Sequence, residues 1–324
     1  MREVTFLRKN EKKWSEFEQL LLSGGDAHPR VISDLYTQIT DDLAYAQTFY
    51  NGSRTHQYLN GLARRAHNKL YRDRREPFAR IKTFWVDEVP HIMHKHRLML
   101  LYSFIIFAVS CGIGAFSAAN DPMFVRLIMG DQYVNMTLEN IGKGDPMAVY
   151  KSMQQTDMFL GITFNNVRVS LLAFGAGLLF SFGTGLILFY NGVMLGSFQY
   201  FFYEHELLLT SVLTIWIHGT LEISAIIVAG AAGMVMGNSL LFPGTFSRLH
   251  SFQTGAREGL KIVVALVPVF IVAGFLESYV TRLTELPDLL KMSIILLSLL
   301  FVIWYFLIYP AQKANKKTYV ERPY

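Results

Sequence analysis

Seven polar or charged side chains stand in sequence that is otherwise apolar: Asn165, Asn166, Arg168, Asn191, His218, Glu222 and Glu277. His218 and Glu222 are four apart, which places them on one helix face and lets them pair. Three chemistries suit such a pair. One is a structural hydrogen bond that pins a helix break at Gly219. A second is a site for a proton, ion or small ligand at an interrupted helix, as in transporters whose half-helix ends face substrate. The third, an acid–base or metal-ligand pair, fits least. Helical metalloprotease motifs bring a second histidine or a further ligand close by in the chain, and none stands there. The same test goes against His91 and His94, which share a helix face but have no acidic or cysteine ligand assigned beside them. No catalytic residue, metal or cofactor is assigned, and the chain is expected not to be an enzyme.

The elements that position these residues follow from the distribution of charge. The chain has 324 residues, 52% of them apolar or aromatic and 17% charged, with a mean hydropathy of +0.28. Residues 1–97 hold 17 Lys/Arg and 12 Asp/Glu, whereas residues 98–324 hold 13 of each. A polar head ahead of an apolar remainder predicts an all-α protein: an N-terminal cytoplasmic helical domain and a polytopic helical membrane domain. Within the head, residues 54–97 carry 11 basic and 4 acidic groups while residues 1–53 are slightly acidic. The basic charge is thus a collar beside the first span, suited to cytoplasmic orientation and anionic lipid headgroups. Basic residues held against a span also argue against nucleic-acid binding. Cys111, the only cysteine, lies in an apolar run and excludes an intramolecular disulfide. Residues 1–10 are polar and show no secretory signal.

Residues 1–75 read as three short helices. Their stripes are Trp14, Phe17, Leu20 and Leu21; then Ile32, Leu35, Tyr36, Ile39, Leu43 and Ala46; then Tyr58, Leu59, Leu62, Ala66 and Leu70. The first break is expected at Ser23–Asp26 and the second at Asn51–Ser53. Residues 76–97 interleave aromatics with basic groups, preceded by Arg72, Arg74 and Arg75. A helix in the headgroup region is expected there, with Arg80, Trp85, Lys95 and Arg97 at the membrane interface.

Residues 98–310 form the expected membrane domain, followed by a basic tail, 311–324. Long apolar segments fall at 98–119, 169–190, 258–280 and 292–309, each near the length needed to cross hydrocarbon. Segment 120–166 is acidic on balance and reads as external, whereas 238–257 and the lysine-bearing tail read as cytoplasmic. With both termini inside, the crossings must be even. Residues 193–237 then form a hairpin or re-entrant pair with its first arm short, giving six segments; five full spans is the rival count. Glycine is concentrated at Gly175, Gly177, Gly183, Gly185, Gly192 and Gly196, and again at Gly230 and Gly233. Small residues let membrane helices approach closely, so dense packing and a homo-oligomer are the expectation.

Several of these motifs occur together. Asn165-Asn166-Val167-Arg168, then Tyr190-Asn191-Gly192-Val193-Met194-Leu195-Gly196, then His218-Gly219-Thr220-Leu221-Glu222-Ile223-Ser224-Ala225 with Ala229–Gly233, and later Phe275-Leu276-Glu277-Ser278, resemble the stage II sporulation protein M superfamily. The head, with Asp42-Leu43-Ala44-Tyr45 and Tyr58-Leu59-Asn60, resembles the extension carried by the family's non-sporulating branch. The resemblance implies an integral membrane protein, and its sporulation member is a scaffold for two peptidoglycan-degrading partners. The expectation is therefore an inner-membrane scaffold linking a cytoplasmic head to envelope partners. The alternative is a transporter or channel-like protein with its site at His218–Glu222. In either case cysteines introduced at Ser247 and Asp145 should react with a membrane-impermeant thiol reagent from opposite sides. Labelling from one side alone would break the six-segment topology.

Overall fold

The computed structural model describes residues 2–22, 29–70, 77–151, 154–283 and 285–320, and these are helical with no strand among them. The chain divides into two compact units, Met1–Pro77 and Phe78–Tyr324. The expected break at residues 23–26 and the basic group Arg72, Arg74 and Arg75 lie outside the described residues.

In the first unit α1 (Glu3–Leu22), α2 (Pro29–Phe49) and α3 (Arg54–Leu70) turn their apolar stripes to one core. Phe6, Trp14 and Phe17 of α1 meet Ile39 and Ala46 of α2 and Leu59, Leu62, Ala63 and Ala66 of α3. The Trp14 indole cannot be buried without a partner for its N–H, and Nε1 donates to Asp42 Oδ2 at 2.8 Å. Lys13 closes on the same carboxylate at 2.5 Å.

The second unit opens at Phe78, within α4 (Pro77–Thr83), and continues with a π-helical stretch (Phe84–Glu88) and α5 (Val89–Lys95). This collar packs against the membrane helices. Val89, Ile92 and Met93 are buried, and four of its ionisable groups are paired with the membrane helices. Lys95 and His96 close on Glu258 at 2.6 and 2.7 Å, Glu88 on Lys261 at 2.6 Å, and Asp87 on Lys313. Of the expected interface residues, Arg80 and Arg97 are exposed, Trp85 is half-buried and Lys95 is held by protein.

Six helices of the described residues are long and apolar enough to cross a membrane: Arg97–Asn120, Gln155–Leu178, Phe182–Glu204, Leu208–Leu241, Arg248–Thr281 and Asp288–Asn315. They are built from α6 (Arg97–Asn120), α9 (Gln155–Gly175), α10 (Phe182–Glu204), α11 (Leu208–Leu241), α12 (Arg248–Phe275) and α13 (Asp288–Ile303), the last running through a π-helical stretch into α14 (Tyr309–Val320). Between α6 and α9, two short helices, α7 (Pro122–Met129) and α8 (Asp131–Gly142), precede a 3₁₀ turn at Ala148–Lys151. Val125, Val134 and Met147 of this segment pack on Phe201, Phe202 and Ile215, at the facing ends of α10 and α11.

Three expectations are corrected. Residues 169–190 are not one span, because the chain reverses at Leu179–Ser181 between α9 and α10. Phe180 and Ser181 take φ of 52° and 67°, a strained conformation for residues other than glycine. The turn is held by Ser181 Oγ donating to Met234 O at 3.4 Å. Secondly, residues 193–203 are the second half of a 23-residue helix rather than a short arm. Thirdly, α11 runs unbroken through Gly219 for 34 residues. One glycine costs a helix only about 1 kcal/mol, and the surrounding packing outweighs that.

The bundle is held by close backbone approach. Gly192 and Gly196 of α10 face Phe107, Ser110 and Cys111 of α6, where a Cβ at Gly192 would lie 2.7 Å from Phe107 O and one at Gly196 would collide with Cys111 O. Small hydroxyls hydrogen-bond across other crossings of the bundle: Ser103 Oγ of α6 to Ile227 O of α11 at 2.6 Å and Thr184 Oγ1 of α10 to Ala173 O of α9 at 2.7 Å. Gly175 and Gly185 meet nothing within 4 Å. Gly196→Val should therefore destabilise the protein in detergent by at least about 1–3 kcal/mol, the cost of overpacking. Gly185→Ala should leave it unchanged or raise it by about 0.5–1 kcal/mol. Thermal unfolding of the two variants checks the contrast.

Candidate intramembrane polar site

α11, α9 and the end of α12 bring three of the seven polar residues into one cluster with His218. His218 and Glu222 project from successive turns of α11, the first only 3% exposed. Glu277 comes from the π-helical continuation of α12, Leu276–Thr281. Departures of this kind from α-helical geometry are frequent at functional sites. Thr281, four residues beyond Glu277, completes the contact, and the two together face both ring nitrogens of His218. Nδ1 lies 3.0 Å from Thr281 Oγ1 and Nε2 lies 3.7 Å from Glu277 Oε2. Asn166 of α9, 8% exposed, donates from Nδ2 to Glu222 Oε1 at 2.5 Å. One ligand atom each of His218, Glu222 and Glu277 lie within 4.8 Å of one another. The sequence suggests a direct His218–Glu222 pair. The structure instead gives the imidazole to Thr281 and Glu277, and the Glu222 carboxylate to Asn166.

His218 and Glu222 line a cavity of about 420 Å³, together with Asn165, Asn166 and Asn191 and with Ile128, Met129, Tyr133 and Tyr150. The last four belong to the segment between α6 and α9, so that segment walls the cavity as well as joining two spans. The Tyr150 ring stands edge-on to His218 with centroids 5.8 Å apart. Tyr150 lies outside the spans, and burial, followed by the nearby Glu277 charge, pushes its phenol well above the usual range. It therefore stays a neutral wall of the cavity.

Asn165 reaches the cavity from an exposed position on α9. Asn191 lines it while donating to its own helix at Ile187 O, 2.8 Å away. Arg168 is exposed on α9 and is not among the lining residues. Thr281, Tyr133 and Tyr150 are absent from the sequence-derived set. Thr281 carries a signal in retrospect, four residues after Glu277 on the same face, whereas the two tyrosines are brought in by tertiary folding alone.

The electrostatics are unbalanced. Among the described residues, no lysine or arginine pairs with Glu222 or Glu277. Two negative charges at most 4.8 Å apart repel by about 3 kcal/mol or more even at an effective dielectric of about 20. Because no lysine or arginine relieves it, the pair avoids this repulsion either by keeping a proton or by binding a cation.

Six apolar spans with a polar cluster sunk among them define a polytopic helical membrane protein. The family model described as Stage II sporulation protein M matches residues 103–282, more than half of the chain, and the chain belongs to that family. A second, described as Domain of unknown function (DUF8413), matches residues 4–72, the three-helix head. No curated protein and no solved structure matches the chain.

Asn166→Leu strips the amide from a buried carboxylate and should cost about 1–3 kcal/mol of stability. Adding Glu222→Leu should return part of that loss, because the group left unpaired is then gone. Denaturation of the two single variants and the double variant in detergent measures the coupling.

Proposed function

We propose that this chain is a ligand-handling membrane protein of transporter type, with its site at the cluster of His218, Glu222 and Glu277. The observation that carries this reading is the pair of carboxylates, with Glu222 lining a largely apolar cavity and no lysine or arginine among the described residues to neutralise either. A bundle needed only for attachment has no use for such a pair, since ionisable residues at membrane depth are expensive. The continuous α11 makes the site a side-chain cage between helices rather than a gap in a broken helix. In this reading the chain catalyses no covalent step. It resides in the bacterial inner membrane with both termini in the cytoplasm, and the segment between α6 and α9 lies on the outer side.

A second reading, a scaffold that links the head to envelope partners or to further copies of itself, has its own support in Arg168. That residue is exposed near the middle of the span Gln155–Leu178. An arginine at the centre of a spanning helix costs about 2.5–3.5 kcal/mol on insertion scales, and a partner helix would relieve it. The sporulation member's role extends naturally to such an arrangement.

The transport reading is tested by reconstituting the full chain in proteoliposomes and recording charge displacement and pH-dye signals. The jumps would be in H⁺, Na⁺, K⁺, Mg²⁺, Mn²⁺ and Zn²⁺. Wild type should give a saturable response to at least one of these cations, and Glu222→Gln should abolish it while eluting as a folded protein. Folded wild type that responds to none of them would overturn the reading and leave the scaffold.

A further inference from the structure

We propose that His218, Glu222 and Glu277 form a site for a divalent first-row transition-metal ion of the zinc class, exchangeable through the cavity. The assignment rests on reading the cluster as a ligand site and specifies the ligand.

The donor set has the right composition and nearly the right spacing. One imidazole nitrogen and two carboxylate oxygens lie within 4.8 Å of one another. Around a tetrahedral ion with bonds of about 2.0–2.2 Å, donors sit about 3.4 Å apart. Closing the cluster on an ion therefore requires side-chain ends to move by about 1 Å. His218 Nε2 and Glu277 Oε2, at 3.7 Å, are too far apart for a hydrogen bond and close to the separation of two ligands on a shared ion.

The outer contacts are those a metal site needs. A metal-bound histidine normally has its second ring nitrogen engaged, which fixes the ring and leaves the other lone pair for the ion. Here Nδ1 is engaged by Thr281 Oγ1 at 3.0 Å. Nε2 has no partner within hydrogen-bond distance, although the residue is only 3% exposed. Ligating carboxylates are likewise held from outside, and Asn166 holds Glu222 by Oε1 at 2.5 Å, while the same carboxyl group meets Glu277, the contact that an ion would take over.

Charge and ligand type narrow the ion. Two carboxylates with a divalent ion make a neutral site, whereas a monovalent ion leaves a net negative charge in a low-dielectric interior. Calcium and magnesium take oxygen ligands, and the imidazole favours zinc, iron, nickel or copper instead. Three protein ligands leave one position of a tetrahedral ion open, the pattern of sites that act on a ligand rather than of closed structural ones. Both His218 and Glu222 line the cavity of about 420 Å³, which gives that position an approach.

The test uses the full chain in detergent, stripped with chelator and titrated with Zn²⁺ alone and Co²⁺ alone, with bound metal measured after dialysis. Wild type should retain stoichiometric metal, and the cobalt form should show visible d–d bands. Glu277→Gln and His218→Ala should lose both. Thr281→Val, which removes an outer contact while keeping shape, should weaken zinc binding by about 10–100-fold. His94→Ala, outside the cluster, should bind as wild type does. Metal-free variants should elute and unfold like metal-free wild type, which separates lost ligation from lost folding. Folded wild type that retains no metal, or metal lost with His94→Ala but kept in Glu277→Gln, would overturn the assignment. If a Glu222-dependent response to any cation of the proteoliposome series then persists, the transition-metal assignment falls and the ligand site stands. If that response is also absent, both fall.

Discussion

Two carboxylates, Glu222 and Glu277, meet between membrane helices without a lysine or arginine among the described residues to balance them, and the rest of the domain can be understood around that constraint. In water their repulsion would be screened. Between helices it must be met by hydrogen bonds and by a retained proton or a bound cation. The structure supplies the hydrogen bonds in full view, from Asn166 to Glu222 and between Thr281 and His218. Basic residues are not scarce in the domain, since Lys95 and Lys261 both pair with acids. They pair at the collar, with Glu258 and Glu88. Positive charge is thus spent at one end of the bundle and withheld from its interior.

Holding such a cluster open requires a frame that does not collapse onto it. Glycines let α10 lie against α6, and small residues of α11 lie against α6, α9 and α10, at distances that no larger side chain would permit. Where the backbones touch, there is no freedom to adjust. The remaining space between the helices persists as a cavity, and the segment between α6 and α9 closes over part of it with Tyr133 and Tyr150. Tight crossings and the cavity are two consequences of the same residue choice.

Much of this was legible in the chain. The 3.6-residue stripes of the head locate its core at Trp14, Phe17, Ile39, Leu59 and Leu62, because each helix must turn its apolar face to the others. The even number of spans followed from loop charge. The reversal at Leu179–Ser181 was hidden, because a turn at the edge of a bilayer can be built from leucine and phenylalanine, with no polar punctuation to mark it. Gly219 misled in the opposite sense, since a glycine inside a well-packed helix does not break it. Asn166, His218, Glu222 and Glu277 each stood out as polar residues in apolar sequence. Their convergence did not, because Glu277 lies 55 residues beyond Glu222 and only the packing of α12 on α11 brings them together. Spacing along one helix suggested a His–Glu pair, and the third dimension replaced it with a three-residue cage.

The most direct measurement is X-ray absorption at the zinc edge on the full chain loaded with zinc in a lipid nanodisc. The account predicts a first shell of nitrogen and oxygen alone at about 2.0–2.2 Å, with the multiple-scattering signature of a single imidazole. A sulfur shell, several imidazoles, or no bound zinc above the buffer would contradict it.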